Sequence, residues 1–174
     1  DGNFLISNMC MKAYATNMGI QSSIQAALNL MAKHKFDPAQ IKKIDVNYSD
    51  HFFSKPAADK ATILPETRET ADHSPLYCVA IALLDGACGP EQFTEGKLFD
   101  PKVRRLMQSI ELLPDDELTR LQSETQGSKV QITLNSGETY KEACLYPPGN
   151  PKNPLSDQQI ADKFRTLAKG ALSK

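Results

Sequence analysis

Apolar positions between residues 20 and 35 follow a helical period. One set recurs at steps of three and four residues and so forms a single stripe along a helix: Ile20, Ile24, Ala27, Leu28 and Met31. The pattern stops at a short run that contains a proline, residues 36–38. We therefore predict a helix that begins near residue 20 and ends before residue 36.

A second stretch, residues 71–86, reads ADHSPLYCVAIALLDG and is apolar on nearly every side. Asp72 or Ser74 can cap a helix at this point, and Pro75 suits the first turn because its missing N–H costs nothing there. Gly86 can close the helix. These signals predict a buried helix over residues 74–85.

Three further segments have the apolar and polar patterns of strands. Residues 41–49 and 110–118 have strand patterns, and residues 129–146 contain two alternating runs separated by Asn135, Ser136 and Gly137. The two runs predict a hairpin. The polar residues 50–70 predict a loop.

The remaining segments complete the predicted architecture. The first 19 residues suit a strand followed by an irregular loop, and residues 89–96 and 100–110 suit short helices. A stretch with four prolines at 146–155 precedes an amphipathic helix capped by Ser156. Helices that flank hairpin strands favour an α+β, two-layer domain with a mostly antiparallel sheet covered by helices.

Composition limits the classes of function. The 174 residues carry 20 Lys and Arg against 21 Asp and Glu, so no net positive charge favours nucleic acid or an anionic membrane surface. The longest apolar stretch is far shorter than the roughly 20 residues of a membrane span. We therefore expect one soluble domain without nucleic-acid or membrane partners.

The cysteines and the first residue add two expectations. The four cysteines are scattered, without CxxC pairs or histidines at metal-ligand spacing, which predicts reduced thiols, a cytoplasmic location and no metal site. The chain starts at Asp1 without a signal-peptide pattern. We therefore expect it to be a piece of a longer protein.

Isolated ionisable residues provide weak candidates for chemistry. His73 and Tyr77 are one turn apart near a helix start and can share a helical face. His73 can bind a carboxylate there or act as a capping residue, and Tyr77 can transfer a proton or pack in the core. Lys12 precedes a helix N-terminus, where it can either bind an anionic substrate or be a solvated surface lysine. The cluster at 102–105 fits a solvated helix face. No nucleotide- or metal-binding signature is present, so no cofactor is expected.

Two motifs occur in order along the chain: the helix ADHSPLYCVAIALLDG and the closing stretch PPGNPKNPLSDQQIADKFRTLA. Both resemble motifs of the MmgE/PrpD family, which includes 2-methylcitrate dehydratases, cis-aconitate decarboxylases and an iminodisuccinate epimerase. MKAYATNMGIQSSIQAALNL and DPAQIKKIDVNY extend the resemblance to nearly the whole chain. It implies that residues 1–174 form the single α+β lid domain at the C-terminus of a longer two-domain protein.

The resemblance also implies roles for five residues. Lys12 matches the lid lysine expected to hold a substrate carboxylate, while His73 and Tyr77 match cleft residues and become the catalytic candidates. Gln21 and Asn17 stand where many members have His or Cys, and we expect them to contact substrate. A glutamine cannot exchange protons near neutral pH, so the reaction can differ from that of the named members.

The implied function is that of a substrate-covering domain in a cofactor-independent lyase or isomerase for small polycarboxylates. Its expected partners are the substrate, the family's N-terminal helical domain, which would supply the general base, and a second copy in a homodimer. The isolated lid is then expected to be inactive. The alternatives are a stand-alone binding or interaction module that keeps the fold without catalysis, and a structural protein without a ligand.

Overall fold

A computed structural model describes residues 4–54 and 63–169 of the chain. The strands are β1 (Ile41–Tyr48), β2 (Ile110–Pro114), β3 (Ser128–Leu134) and β4 (Thr139–Cys144). The α-helices are α1 (Gln21–His34), α2 (Asp50–Phe53), α3 (Arg68–Asp72), α4 (Pro75–Asp85), α5 (Glu95–Leu98), α6 (Pro101–Met107), α7 (Asp116–Arg120) and α8 (Asp157–Ala168). Short 3-10 helices cover Leu5–Asn8, Met18–Ile20, Pro38–Gln40 and Pro90–Phe93.

The strands form one sheet in the order β2-β1-β3-β4. β1 pairs with β2 in parallel, whereas the β1–β3 and β3–β4 pairs are antiparallel. Buried residues of α1 and α4 form a continuous core with the inner side chains of β1 and β3. The predicted α+β class with a mostly antiparallel sheet is therefore confirmed.

Local signals positioned α4 as predicted. Ser74 caps the helix, because its side chain accepts a hydrogen bond from the Tyr77 backbone N–H at 3.1 Å, and Pro75 occupies the first turn. Gly86 ends the helix with φ of 68°, a left-handed conformation that glycine adopts at little cost. The helix is buried on nearly all sides, which explains its almost uniformly apolar sequence.

Strand β1 connects the sheet to α1. Its inward side chains at Ile44, Val46 and Tyr48 are buried, as the alternating pattern predicted. The Tyr48 hydroxyl donates to Ser23 Oγ at 2.7 Å inside the core. A buried hydroxyl pair of this kind satisfies both groups while joining helix to strand.

Two expectations about irregular segments were wrong. The opening strand is absent from the described part of the N-terminus, where a 3-10 turn stands instead; the side chains of Ile6 and Met9 are 74% and 68% exposed. A strand needs a neighbouring strand to satisfy its backbone N–H and C=O groups. Here the Met11 N–H instead donates to the Gly149 carbonyl in the proline-rich turn. The loop predicted at 50–70 contains α2 and the first residues of α3, while 55–62 lie outside the described residues.

The closing helix α8 is amphipathic, as predicted, and begins with a capping box between Ser156 and Gln159. Its apolar face is open in the described structure: Ile160, Phe164 and Leu167 are 39%, 62% and 56% exposed. None of the helices in the described ranges is long and apolar enough to cross a bilayer.

Candidate functional site

The segment that carries Lys12 is held by backbone hydrogen bonds to three distant parts of the chain. Met11 N–H donates to the Gly149 carbonyl at 2.9 Å, and Ala15 N–H donates to the Cys88 carbonyl at 3.0 Å. Asn17 N–H donates to the Asp72 carbonyl, also at 3.0 Å. Residues 11–17 therefore lie between the proline-rich turn and the two ends of the α4 region.

A cleft of about 340 Å³ lies beside this segment. Lys12 and Tyr14 line one side, Gly89 and Pro90 another, and α8 closes it with residues that include Lys163. The Lys163 ammonium donates to the Lys12 backbone carbonyl. The described lining contains these two lysines and no carboxylate, so the cleft is locally cationic.

Gln21 holds the Lys12 segment in place through hydrogen bonds to Tyr14 and Thr16. Its side chain is buried, its Oε1 accepts from Tyr14 N–H at 2.9 Å, and its Nε2 donates to the Tyr14 carbonyl and Thr16 Oγ1, both at 3.1 Å. Both ends of the amide are thus occupied by the protein itself. A substrate contact for Gln21 stays a prediction, and the geometry gives this residue a structural role.

Replacement of Gln21 by alanine is expected to lower the free energy of unfolding by about 2–3 kcal/mol, because the Tyr14 N–H and C=O lose their partners inside the protein. Urea denaturation measures the change. Gln108→Ala, at an exposed position, is the matched control and should change stability by less than about 0.5 kcal/mol. Equal stability of the two variants would contradict the structural role.

The side chain of Tyr14 begins a chain of hydrogen bonds along α1. Its hydroxyl donates to Gln25 Oε1 at 2.5 Å, Gln25 Nε2 donates to Asn29 Oδ1 at 2.7 Å, and Asn29 Nδ2 donates to Glu142 at 3.1 Å. Lys33 completes the chain with an ion pair to Glu142 at 2.6 Å. Burial raises the pKa of Tyr14, so its phenol stays protonated and donates. The side chain of Tyr14, a residue of the cleft lining, is therefore held in one orientation.

Asn17, the last residue of this segment, and His73 both lie outside the cleft lining. Asn17 Oδ1 accepts from Gly19 N–H at 2.9 Å and caps the 3-10 turn that leads into α1. The His73 side chain is half exposed, with Nδ1 at 2.5 Å from an Asp72 carboxylate oxygen. Neither residue lines the Lys12 cleft, and their contacts with substrate stay predictions.

The expected shared face of His73 and Tyr77 is wrong. α4 begins at Pro75, and His73 is instead the C-cap of α3, so the two residues belong to different helices. Ser74 separates them with an extended backbone, which breaks the helical spacing on which the expectation depended.

Tyr77 is fully buried, and its hydroxyl donates to the Gln92 carbonyl at 2.5 Å. Burial, followed by the neighbouring Cys78, raises the pKa of Tyr77, which keeps the phenol neutral. Its ring packs against Phe93 with centroids 5.7 Å apart. These contacts tie α4 to the 90–93 turn that borders the cleft, and a catalytic role for Tyr77 stays a prediction.

Replacement of Tyr77 by phenylalanine is expected to lower the free energy of unfolding by about 1–2 kcal/mol, since the Gln92 carbonyl loses its donor. Urea denaturation checks this value, with Tyr146→Phe, at a partly exposed tyrosine, as control. The same variant in an active full-length protein tests the catalytic prediction separately: a fall in kcat that is larger than any rise in KM would support it, and unchanged kinetics would leave Tyr77 a core-packing residue.

Sequence reasoning missed Lys163 and Tyr14 as cleft residues. Lys163 sits in the closing motif, but its place beside Lys12 depends on a contact between residues 151 positions apart.

In the described part of the chain, no group of three or more His, Cys, Asp or Glu side chains is placed to hold a metal ion. All four cysteines are free thiols, and burial raises the pKa of Cys144 to about 11.

The sequence profile of the MmgE/PrpD C-terminal domain matches residues 14–174. The chain therefore belongs to the MmgE/PrpD family, and the resemblance is confirmed. It is 31% identical to a Homo sapiens cis-aconitate decarboxylase over 110 residues and 30% identical to a Mus musculus cis-aconitate decarboxylase over 111 residues. Each match covers 63% of this chain and 22% of the relative, so the chain matches about a fifth of these relatives' length. Lys12 lies just before the residues matched by the family profile.

Proposed function

We propose that this chain is the C-terminal, substrate-covering domain of a cofactor-independent lyase that acts on small polycarboxylates. The reaction type would be that of the cis-aconitate decarboxylases or of the 2-methylcitrate dehydratases. Family membership and the names of the two relatives support this class. The observation that carries the proposal is the cleft in which Lys12 and Lys163 face a lining free of carboxylates among the described residues.

The chemistry of this class explains why two ammonium groups suit the cleft. Loss of carbon dioxide or water from such acids develops negative charge on a carbanion that neighbouring carboxylates stabilise. Fixed positive charges placed where this charge develops lower the barrier. The side chains of Lys12 and Lys163 would each bind a substrate carboxylate, while Tyr14, held by Gln25, belongs to the same lining.

A second domain is required in this proposal. Two lysines cannot bind three carboxylates, and the phenol of Tyr14 is committed to Gln25, so the described lining offers no general base. The open apolar face of α8 is a surface that a monomeric protein seldom leaves uncovered. The family's N-terminal helical domain would cover it, supply the base and complete the substrate site. For the assembled enzyme, the proposal keeps a homodimer. It also keeps His73 and Tyr77 as catalytic candidates, and Asn17 and Gln21 as residues that contact substrate.

Turnover measurements test the proposal directly. The natural full-length polypeptide is expected to convert cis-aconitate or 2-methylcitrate, whereas the 174-residue chain alone is expected to bind without turnover. An immunoblot of source cells with an antibody against this chain first establishes the size of the natural polypeptide. Turnover by the isolated chain, or inactivity of a longer natural polypeptide towards both acids, would contradict the proposal.

A second candidate is a binding module that keeps the fold without catalysis. It is favoured by one observation: the two predicted catalytic residues, His73 and Tyr77, do not line the Lys12 cleft, and the hydroxyl of Tyr77 is engaged in the core. A natural polypeptide that has the size of this chain and binds tricarboxylates without converting them would establish this alternative.

A further inference from the structure

A second and larger cavity lies away from the Lys12 cleft, between the start of β1, the end of α4 and α6. Its volume is about 480 Å³. The floor is apolar: Ile41 and Leu106 are buried at 8% and 6% exposure, and Leu84 lies partly buried beside them. None of its lining residues belongs to the proposed polycarboxylate cleft.

The rim of this cavity carries two positive charges from α6. Lys102 and Arg105 are three residues apart, so they project from one helical face, and both line the cavity. The intervening Arg104 is not part of a solvated face, contrary to expectation: its Nε donates to the Leu98 carbonyl at 2.9 Å and its guanidinium lies over the Phe99 ring. The basic cluster seen in the sequence is thus divided between a docked arginine and two cavity residues.

The charges of Lys102 and Arg105 are not neutralised within the described structure. The ion pairs found there involve other residues. Asp37 is the only carboxylate in the described lining, and its Oδ1 accepts from Ala39 N–H at 2.9 Å as the cap of a 3-10 turn. Ser109 adds a hydroxyl to the same rim. The rim therefore presents two cations and a hydroxyl against one carboxylate already committed to the backbone.

We propose that this cavity binds a small amphipathic carboxylate, with its head group at Lys102, Arg105 and Ser109 and a short hydrocarbon tail on the apolar floor. A guanidinium recognises a carboxylate through two parallel hydrogen bonds, and the lysine adds a point charge. The tail gains from each methylene that leaves water. This inference does not depend on the proposed lyase function, because the two sites share no residue.

Calorimetric titration of the natural full-length polypeptide with hexanoate tests the inference. We expect saturable binding that tightens about fourfold per methylene from butyrate to hexanoate, and binding of hexanol at least about tenfold weaker. Inorganic phosphate is expected not to displace hexanoate. Absence of hexanoate binding, or displacement by phosphate at equal concentration, would overturn the proposal.

Variants then assign the site. Arg105→Gln and Lys102→Gln, both at exposed positions, should each weaken hexanoate binding about five- to tenfold. Asp37→Asn keeps the backbone cap and removes the opposing charge, so it should tighten binding about two- to threefold. Lys42→Gln and Lys12→Gln are the controls and should leave it unchanged. Loss of hexanoate binding in Lys12→Gln, or none in Arg105→Gln and Lys102→Gln, would place the ligand elsewhere and refute the inference.

Discussion

Replacement of Lys12 by methionine is expected to reduce kcat/KM of the full-length protein for cis-aconitate by about 100-fold. The reason is electrostatic: the lysine is an exposed cation of a cleft whose described lining contains no carboxylate, so under the proposed function its charge would act on bound substrate without a competing partner there. Methionine keeps a flexible apolar stem of nearly the same length and removes the ammonium group, with its charge and its hydrogen-bond donors. Steady-state kinetics measure the effect.

Three further variants make this result specific. Lys12→Arg should retain part of the activity, and Lys42→Met, at an exposed lysine on β1, should retain all of it. Lys163→Met should reduce kcat/KM by less than Lys12→Met does and by more than Lys42→Met does. The double variant Lys12→Met, Lys163→Met should lose less than the product of the two single losses, because in the proposal both lysines act on one ligand. Unchanged kcat/KM in Lys12→Met, with normal thermal unfolding, would remove Lys12 from the substrate site.

Replacement of Gly149 by alanine is expected to lower the free energy of unfolding by about 3–4 kcal/mol. Two causes combine at this position. Its φ is 89°, which is strained for a residue with a Cβ, and that Cβ would collide with the backbone carbonyl oxygen of Met11. Because Met11 N–H donates to the Gly149 carbonyl, the substitution should also separate the Lys12 segment from the proline-rich turn.

Urea denaturation, together with hydrogen exchange at the Met11 amide, measures both effects. Gly137→Ala is the matched control, since its φ is 93° but a Cβ there would have no neighbour within 4 Å; it should cost only about 1–2 kcal/mol. Gly96→Ala, in the short helix α5 and equally open, should be neutral or stabilising. If Gly149→Ala costs no more than Gly137→Ala, the close approach to Met11 does not constrain the turn.

The elements that the sequence predicted well are those with signals within a few residues. The cap at Ser74, the proline at Pro75 and the glycine at Gly86 define α4 without reference to the rest of the chain. The turn at 135–137 likewise defines the β3–β4 hairpin. The parallel pairing of β1 with β2 was not predictable in this way, because these strands are neighbours only after the intervening helices have packed.

The opening segment illustrates the opposite case. Its mixed apolar pattern suits a strand, yet its backbone partners are a turn around Gly149, the carbonyl of Cys88 and the carbonyl of Asp72. None of these lies near it in the sequence. Secondary structure in such a segment depends on which partner satisfies its backbone groups, and only the folded chain supplies that partner.

The same distinction applies to function. By itself, the sequence determined the α+β class, the family, the capped helices and Lys12 as a candidate for binding a substrate carboxylate. Caps, periodicity and motifs depend only on residues that are close together in the sequence. Only the tertiary structure decided that Lys163 joins Lys12, that Gln21 supports Tyr14, and that His73 and Tyr77 belong to different helices. These relations depend on packing between remote segments, and local pattern carries no information about the distance between two such side chains in the folded protein.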